Sequence, residues 1–584
     1  MKWIFTIATA FGLASALHAQ YFDNTWLLGY NQNNIPDDIY GISVITFDQG
    51  TAEFSENVTT TIDFWHNNAS ISDSSGQLFA YCNGIQIENA DFQIMENGGE
   101  LDQVIFEGPT ETQYYSGDKL TQGCIFLPWP GKPDSLLLVY SGDGFIAIPG
   151  YNRTNRNLSY AVVDKTYNGG LGKIVAREIP ILQDTLNPGQ VTAVKHANGR
   201  DWWMLYPEFN STTIYTILID PTGVQVIENQ TVNDTLFEGV TQSCYAPDGN
   251  IFALYSAVSS IKGAWLDVFD FDRCTGTLSN QRHIHYEPGA GRIGGIAFSP
   301  NSRYLYHNFS DTVFQYDMYA ADLLASRVVV GVRDSIPYST RFYQAQLAPD
   351  GKIYSCATSG SRYLHVIHNP DEAGAACGLQ QRGITLPTVN SFSVPNHPNY
   401  RLGPLDGSPC DTLGINNHPV AWWRYERDTV NMARFVFRDL SYYEPTNWYW
   451  TFGDGASSTE RHPEHAYATT GTYNVCLTVS NVNSSNTLCR EVFGTVSTGV
   501  FPEKNTPVRV GPNPFVERLV VTMDRPLARP VFHLYDTFGR LMAQMDLSVG
   551  YNELLLPQLP AGMFVWEVTS GGVRVQVGKV VKGR

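Results

Sequence analysis

Histidine, cysteine and carboxylate side chains build most reactive centres, and in this sequence they are dispersed. His283 and His285 are the closest histidine pair, and a spacing of two puts both on one face of a strand. A zinc centre needs a third ligand, and none stands near them, so the pair reads as packed or surface histidines. No HExxH, GxSxG, P-loop or GxGxxG sequence occurs in a supporting context. No catalytic, cofactor-binding or metal-binding residue is therefore assigned. The nine cysteines include no CxxC pair, which argues against a structural zinc site. Cys476 and Cys489 lie equidistant from the turn Asn481-Val-Asn-Ser484, so they face one another across two strands and can form a disulfide. Cys377 and Cys410 are a second candidate pair, while Cys124 and Cys244 read as small packing residues. Among aromatic side chains, Tyr449 and the adjacent Trp202 and Trp203 are the candidates for contact with a ligand.

Composition describes the elements that must carry these residues. In 584 residues, 16% are charged and 13% aromatic, with 51 Gly and 32 Pro. Soluble domains usually carry about 25% charged residues. This is the profile of many short strands joined by tight turns. The 43% of hydrophobic residues can bury large cores, which excludes disorder. A net charge of −18 disfavours nucleic acid and other polyanions as partners. The fold class is all-β, with room for three or four domains at about 150 residues each.

One phrase recurs: a small-residue strand, a turn, and an aromatic-rich strand. Its clearest copies are Tyr245-Ala-Pro-Asp-Gly-Asn-Ile-Phe-Ala-Leu-Tyr255, Phe298-Ser-Pro-Asn-Ser-Arg-Tyr-Leu-Tyr306 and Leu347-Ala-Pro-Asp-Gly-Lys-Ile-Tyr354. Further copies centre on Gly76, Gly131 and Gly199, and Thr121-Gln-Gly-Cys124 matches Thr241-Gln-Ser-Cys244. The turns fall 49 to 68 residues apart, close to the length of a four-stranded propeller blade. Six copies are visible, and Ser391-Phe-Ser-Val394 with strands from 21–54 would complete a seventh. The expectation is a β-propeller over 20–410 with seven blades, six being the alternative. Phe269-Asp-Phe-Asp-Arg-Cys-Thr-Gly276 and Asn396-His-Pro-Asn-Tyr-Arg-Leu-Gly-Pro404 resemble a WD-repeat-like propeller of secreted Bacteroidota proteins.

Residues 411–498 carry Trp448-Tyr-Trp-Thr-Phe-Gly-Asp-Gly455, then His465, Tyr467 and Gly471-Thr-Tyr-Asn-Val-Cys-Leu-Thr-Val-Ser-Asn481. Trp448, Trp450 and Phe452 share one strand face, and Gly453-Asp454-Gly455 supplies a tight turn. Asp454 is expected to bond its own backbone amides there. The series resembles the PKD domain, an immunoglobulin-like β-sandwich, and the resemblance implies a spacer or interaction module.

Residues 506–584 open on Pro512-Asn513-Pro514-Phe515, continue through Val531-Phe-His-Leu-Tyr-Asp536 and the turn at Gly539-Arg540, and reach Gly562 in Leu559-Pro-Ala-Gly-Met-Phe. They close on Lys579-Val-Val-Lys582. This unit resembles the C-terminal sorting domain of the type IX (Por) secretion system, a small β-sandwich. The resemblance implies export through that machinery, with 499–505 as linker. At the other end, a basic Lys2, an apolar run and Leu17-His-Ala-Gln20 read as a Sec-type signal peptide over 1–19. No later stretch approaches the roughly 18–20 apolar residues of a membrane span.

Two functions fit these parts. One is a non-catalytic protein of the outer surface or the medium, whose propeller presents loops to an extracellular glycan or protein. The other is a secreted propeller hydrolase or lyase acting on extracellular polysaccharide. The absence of a catalytic motif favours the first. The side chains gathered around the propeller axis discriminate between them.

Overall fold

The computed structural model describes residues 21–583 except 31–38, 49, 59, 100, 102–119, 143–154, 238, 240, 260–262, 288–292, 336–338, 429–432, 495–507, 524–525, 537–540, 561 and 572. The signal segment 1–19, the linker 499–505 and the sorting-motif residues Gly539 and Arg540 lie outside the described residues. The chain forms two compact units, one running to Gly494 and the other holding the C-terminal strands.

The first unit is all-β. Among the described residues, seven antiparallel sheets of three or four strands succeed one another over 25–58, 69–89, 124–186, 194–236, 243–286, 294–332 and 342–390. This is the β-propeller expected of the repeated phrase. The phrase works through its turn. Gly199, Gly249 and Gly351 adopt φ of +76°, +77° and +75°, a left-handed conformation that costs a glycine nothing. The amides of Gly249 and Gly351 close their turns onto the carbonyls of Ala246 and Ala348 at 2.8 and 2.9 Å. Ser302 takes the same role at φ +61°, closing onto Ser299 at 2.9 Å. After each turn the aromatic-rich strand buries both of its faces. Trp202–Pro207 is buried at every position, because each sheet is covered by a neighbour on either side. The cores between sheets follow, with Tyr255, Leu266, Phe298 and Tyr316 in one and Phe252, Phe269 and Trp203 in another.

The two ends of the propeller chain meet differently from the expectation. The sheet over 25–58 has three strands, and 391–394 forms no strand beside it. Val394 instead packs into a core with Trp26, Leu28 and Tyr354, and His397 stacks over Trp26. The tetrapeptide Ser391-Phe-Ser-Val394 carries a left-handed Phe392, at φ +58°, which interrupts the extended geometry a ladder requires.

The sandwich after the propeller pairs Trp423–Arg427, Arg434–Asp439 and Glu464–Ala466 in one sheet. Ser457–Ser458, Asn447–Thr451, Gly471–Ser480 and Ser485–Gly494 form the other. Trp450, Phe452, Tyr467, Val475, Leu477 and Val479 fill the space between, with Trp448 half-buried at its margin. This module is seated on the propeller within the same unit. The Arg424 guanidinium donates to the carbonyl of Asp350 at 2.7 Å, and Trp422 packs on Tyr21.

The second unit is a sandwich of a three- and a four-stranded sheet around Phe515, Leu519, Phe532, Phe564 and Trp566. Its opening motif is tied to its last strand, Val573–Lys582. Asn513 Oδ1 accepts from the Val581 amide at 2.8 Å, and the Phe515 amide donates to the Val581 carbonyl at 2.8 Å. Pro512 and Pro514 flank Asn513, and Gly562 begins the penultimate strand. The Lys582 ammonium donates to the carbonyls of Leu556, Pro557 and Leu559.

Candidate functional site: the propeller axis

The first strands of the sheets surround the axis, and glutamines stand just ahead of three of them and within a fourth. An amide side chain both donates and accepts, so it can satisfy backbone groups that no ladder reaches. Gln122 Oε1 accepts from the Ser243 amide at 2.8 Å, and its Nε2 donates to Asn396 Oδ1 at 3.3 Å. Gln242 Oε1 accepts from Ala345 at 2.8 Å and from Ile296 at 3.2 Å. Gln190 donates to the Tyr255 carbonyl and Gln344 to that of His66. Thr121, in the turn ahead of the third sheet, and Tyr343, on the seventh, bond hydroxyl to hydroxyl at 3.1 Å. The matched Thr-Gln pairs are therefore structural: they stitch sheets together across the axis.

Beyond the last sheet, residues 396–405 run across the ends of the inner strands. Asn396 donates to the carbonyls of Cys124 and Val191, Asn399 to Pro247, and Tyr400 to Phe126. A cavity of about 130 Å³ lies between this segment and the inner strands, lined in part by Asp23, Ser243, Cys244, Gln346, His397 and Arg401. Asp23 and Arg401 form a bidentate ion pair at 2.6 and 2.7 Å. Burial works against the Arg401 charge, and the Asp23 carboxylate more than offsets it, holding the guanidinium above its usual range. An acid, a base and a histidine thus converge, but the acid and base are bound to each other. Alanine, serine, cysteine and apolar residues make up much of the remaining wall.

Burial pushes the His397 imidazole down to about 4, against the opposing influence of Asp23. It does the same to His365, to about 4, and to His307, to about 3. The unfolded chain takes up these protons near 6.5, whereas the folded chain resists them until well below that. Stability from these groups is accordingly intact above pH 6.5 and lost as the pH falls toward 4. The urea midpoint is expected to drop between about pH 7.5 and about pH 5, and His397→Asn should remove part of that drop. An unchanged pH slope in the variant would remove His397 from this account.

Other sequence-predicted residues are placed as follows. Trp202 and Trp203 are both buried, at 0% and 4% exposure, and neither can meet an external ligand. A strand with one solvent face would expose one of two adjacent side chains, and this strand is buried at every position. Their indole N–H groups donate to the carbonyls of Pro128 and Arg273. Tyr449 is 49% exposed, on the four-stranded sheet of the sandwich that follows the propeller. Cys476 and Cys489 stand opposite in register and are joined by a disulfide, with Cα atoms 4.0 Å apart. Cys377 and Cys410 are not a pair. Cys410 is bonded to Cys274, at a Cα separation of 5.6 Å. Cys377 ends a short 3-10 turn that points it into the core with Ile353 and Ile367. Cys274 was missed because nothing local marks it; the segment leading to Cys410 is brought near when Arg273 donates to the Gly403 carbonyl at 2.5 Å.

His283 bonds the buried Asp267 at 2.7 Å, and His285 stacks on Trp265. Asp454 accepts from the Ala456 amide at 3.0 Å and bonds His465 at 2.8 Å. Burial opposes its charge, but these bonds hold its carboxyl below the usual range. His465 in turn stacks on Phe452 at 4.2 Å. Among the described residues no group of three His, Cys, Asp or Glu side chains is placed to hold a metal ion. Among them, too, no helix is long and apolar enough to cross a membrane.

The PKD domain family matches residues 418–496. No curated protein matches the sequence. Among solved structures, the first PKD domain of the Vibrio cholerae metalloprotease PrtV is 26% identical, covering 13% of this chain and 98% of its own at a TM-score of 0.13. A Pseudomonas aeruginosa periplasmic gluconolactonase is 12% identical, covering 72% of this chain and 99% of its own at a TM-score of 0.27. PorZ, a surface component of the type IX secretion system of Porphyromonas gingivalis, is 13% identical, covering 93% of this chain and 63% of its own at a TM-score of 0.30. None of these likenesses is strong enough to carry activity over. The chain carries a PKD domain behind an all-β propeller.

Proposed function

We propose that this is an exported surface protein that binds an extracellular glycan or protein without turning it over. In this reading each of the seven sheets is one blade of a ligand-presenting ring, the PKD domain is a spacer or contact module, and 506–584 is the export address. The observation that carries it is the pairing of Asp23 with Arg401, which commits to each other the two charged groups that converge on the axis. A glycan array and a broad polysaccharide hydrolase and lyase screen on the full exported chain test it, with retention and no release of sugar as the expected result. The hydrolase reading draws on one observation, an unpartnered Nδ1 on His397 in the same cavity. Sugar release abolished by His397→Ala would establish that reading and overturn ours.

Export is a separate claim. The tail and the N-terminal signal together assign the type IX route, with its machinery as partner. Deleting 508–584 is expected to leave the protein in the periplasm. Unchanged surface delivery of the truncated chain, followed by immunoblotting of cell fractions, would refute it.

A further inference from the structure

We propose that Trp65, His66 and Phe392 form a binding platform for a neutral saccharide, at the end of the propeller axis where the inner strands begin. The inference rests on the binding function above and gives it a site and a ligand class. Trp65-His66-Asn67-Asn68 leads into the second sheet, and Ser391-Phe392-Ser393 follows the last strand, so the two ends of the propeller chain supply the rings. The planes are nearly parallel. Phe392 lies 4.6 Å from His66 at 25°, and Trp65 lies 6.2 Å from Phe392 at 6°. Tyr343 meets both His66 and Phe392 edge-on, at 83° and 87°, and braces them from behind.

The placement is specific. Gln344 donates to the His66 carbonyl at 3.0 Å, and Tyr343 bonds Thr121 across the axis, which fixes the platform to the inner strand of the last sheet. Phe392 holds φ +58°, a conformation that a bulky side chain seldom adopts and that tends to persist at ligand contacts. Asn390 donates to the Ser393 carbonyl at 2.8 Å and closes the turn that holds it. Among the described tryptophans Trp65 is the one exposed, at 40%, whereas the other indoles are buried or half-buried.

The unsatisfied polar atoms on these two segments are uncharged. Asn67 Nδ2, Asn390 Oδ1 and Ser393 Oγ are buried and have no hydrogen-bond partner, although a buried polar atom normally has one. All three are on the two segments that carry the rings, at positions 0%, 3% and 0% exposed. They are amide and hydroxyl groups, so the segments that carry the rings add no unpaired charge that would select an ionic ligand. An indole face suits the C–H face of a pyranose, as a large apolar surface with few rotors. The net charge of −18 works against acidic saccharides.

The test uses the full-length chain with maltohexaose, cellohexaose, laminarihexaose, mannohexaose and xylohexaose as probes, read by calorimetry and by tryptophan fluorescence. At least one is expected to bind and shift the fluorescence. Trp65→Ala and Phe392→Ala should weaken that binding about tenfold or more, as loss of a central aromatic contact does. Tyr319→Ala, at an exposed ring outside the platform, should leave it unchanged, and Trp65→Phe should retain most of it and control for folding. Undiminished binding by Trp65→Ala, or loss on Tyr449→Ala instead, would overturn the site while leaving a sugar-binding function. If no hexaose binds but the chain still adheres to a protein-bearing surface, the saccharide proposal fails and the surface-binding function stands.

Discussion

Replacing both Cys274 and Cys410 with serine should destabilise the first unit by about 5 kcal/mol, the largest single stability change expected in this chain. The magnitude comes from the loop the bond closes. The two residues are 136 apart in sequence, against 13 for Cys476 and Cys489. Chain entropy removed from the unfolded state grows with loop length, which puts the shorter bridge at about 3 kcal/mol and the longer at about 5. The folded state should change little without the bond. The Leu405 amide donates to the Ala197 carbonyl at 2.8 Å, Asn417 donates to that of Pro404 at 2.8 Å, and Arg273 still grips Gly403. Urea unfolding of the double-serine variant, under non-reducing conditions, checks this. A loss below about 1 kcal/mol would mean that the unfolded chain is already compact enough for the bond to constrain nothing.

These two bridges also separate what the sequence discloses from what it conceals. Cys476 and Cys489 belong to adjacent strands joined by one turn, so counting to the turn centre places them opposite each other. Cys410 belongs to an irregular segment, and its partner depends on where that segment crosses the propeller. The same division holds elsewhere. The Ala-Pro-Asp-Gly turns announce their sheets because a left-handed position selects glycine locally. The Trp-x-Trp-x-Phe spacing announces a sandwich strand because one face of it is solvent. Trp202 and Trp203 misled for the converse reason, since a strand buried on both faces leaves no alternation to read. The axis was legible only as a repeat. Thr121-Gln122 and Thr241-Gln242 stand out as copies, but Gln122 bonds Ser243 across 121 residues. Asp23 and Arg401 are separated by 378. Such pairs are set by ring closure, which no local window contains. The platform at Trp65 and Phe392 was missed on the same ground, because its rings come from opposite ends of the propeller chain.

Breaking that most distant pair is the second large effect expected. Arg401→Ala should cost about 3–5 kcal/mol, and Asp23→Ala a similar amount, since each leaves one charge buried without its partner. Asp23 is only 8% exposed, and the Arg401 guanidinium also lies over the Tyr442 ring at 5.8 Å, where the propeller meets the PKD domain. The double change Asp23→Leu with Arg401→Met should be far less damaging than the two single costs added together. It removes both charges at once, and with them the desolvation that makes each orphan costly. A double-mutant cycle in urea therefore yields a large favourable coupling if the pair is a closed unit. Near-additivity would mean that water or another group reaches at least one of the charges. That outcome would reopen the cavity to chemistry, because a carboxylate and a guanidinium free to act beside His397 are what the hydrolase reading requires. A coupling of several kcal/mol, with sugar retained and not cleaved, instead fixes the pair as a clasp that joins the first residues of the propeller to the segment crossing its axis.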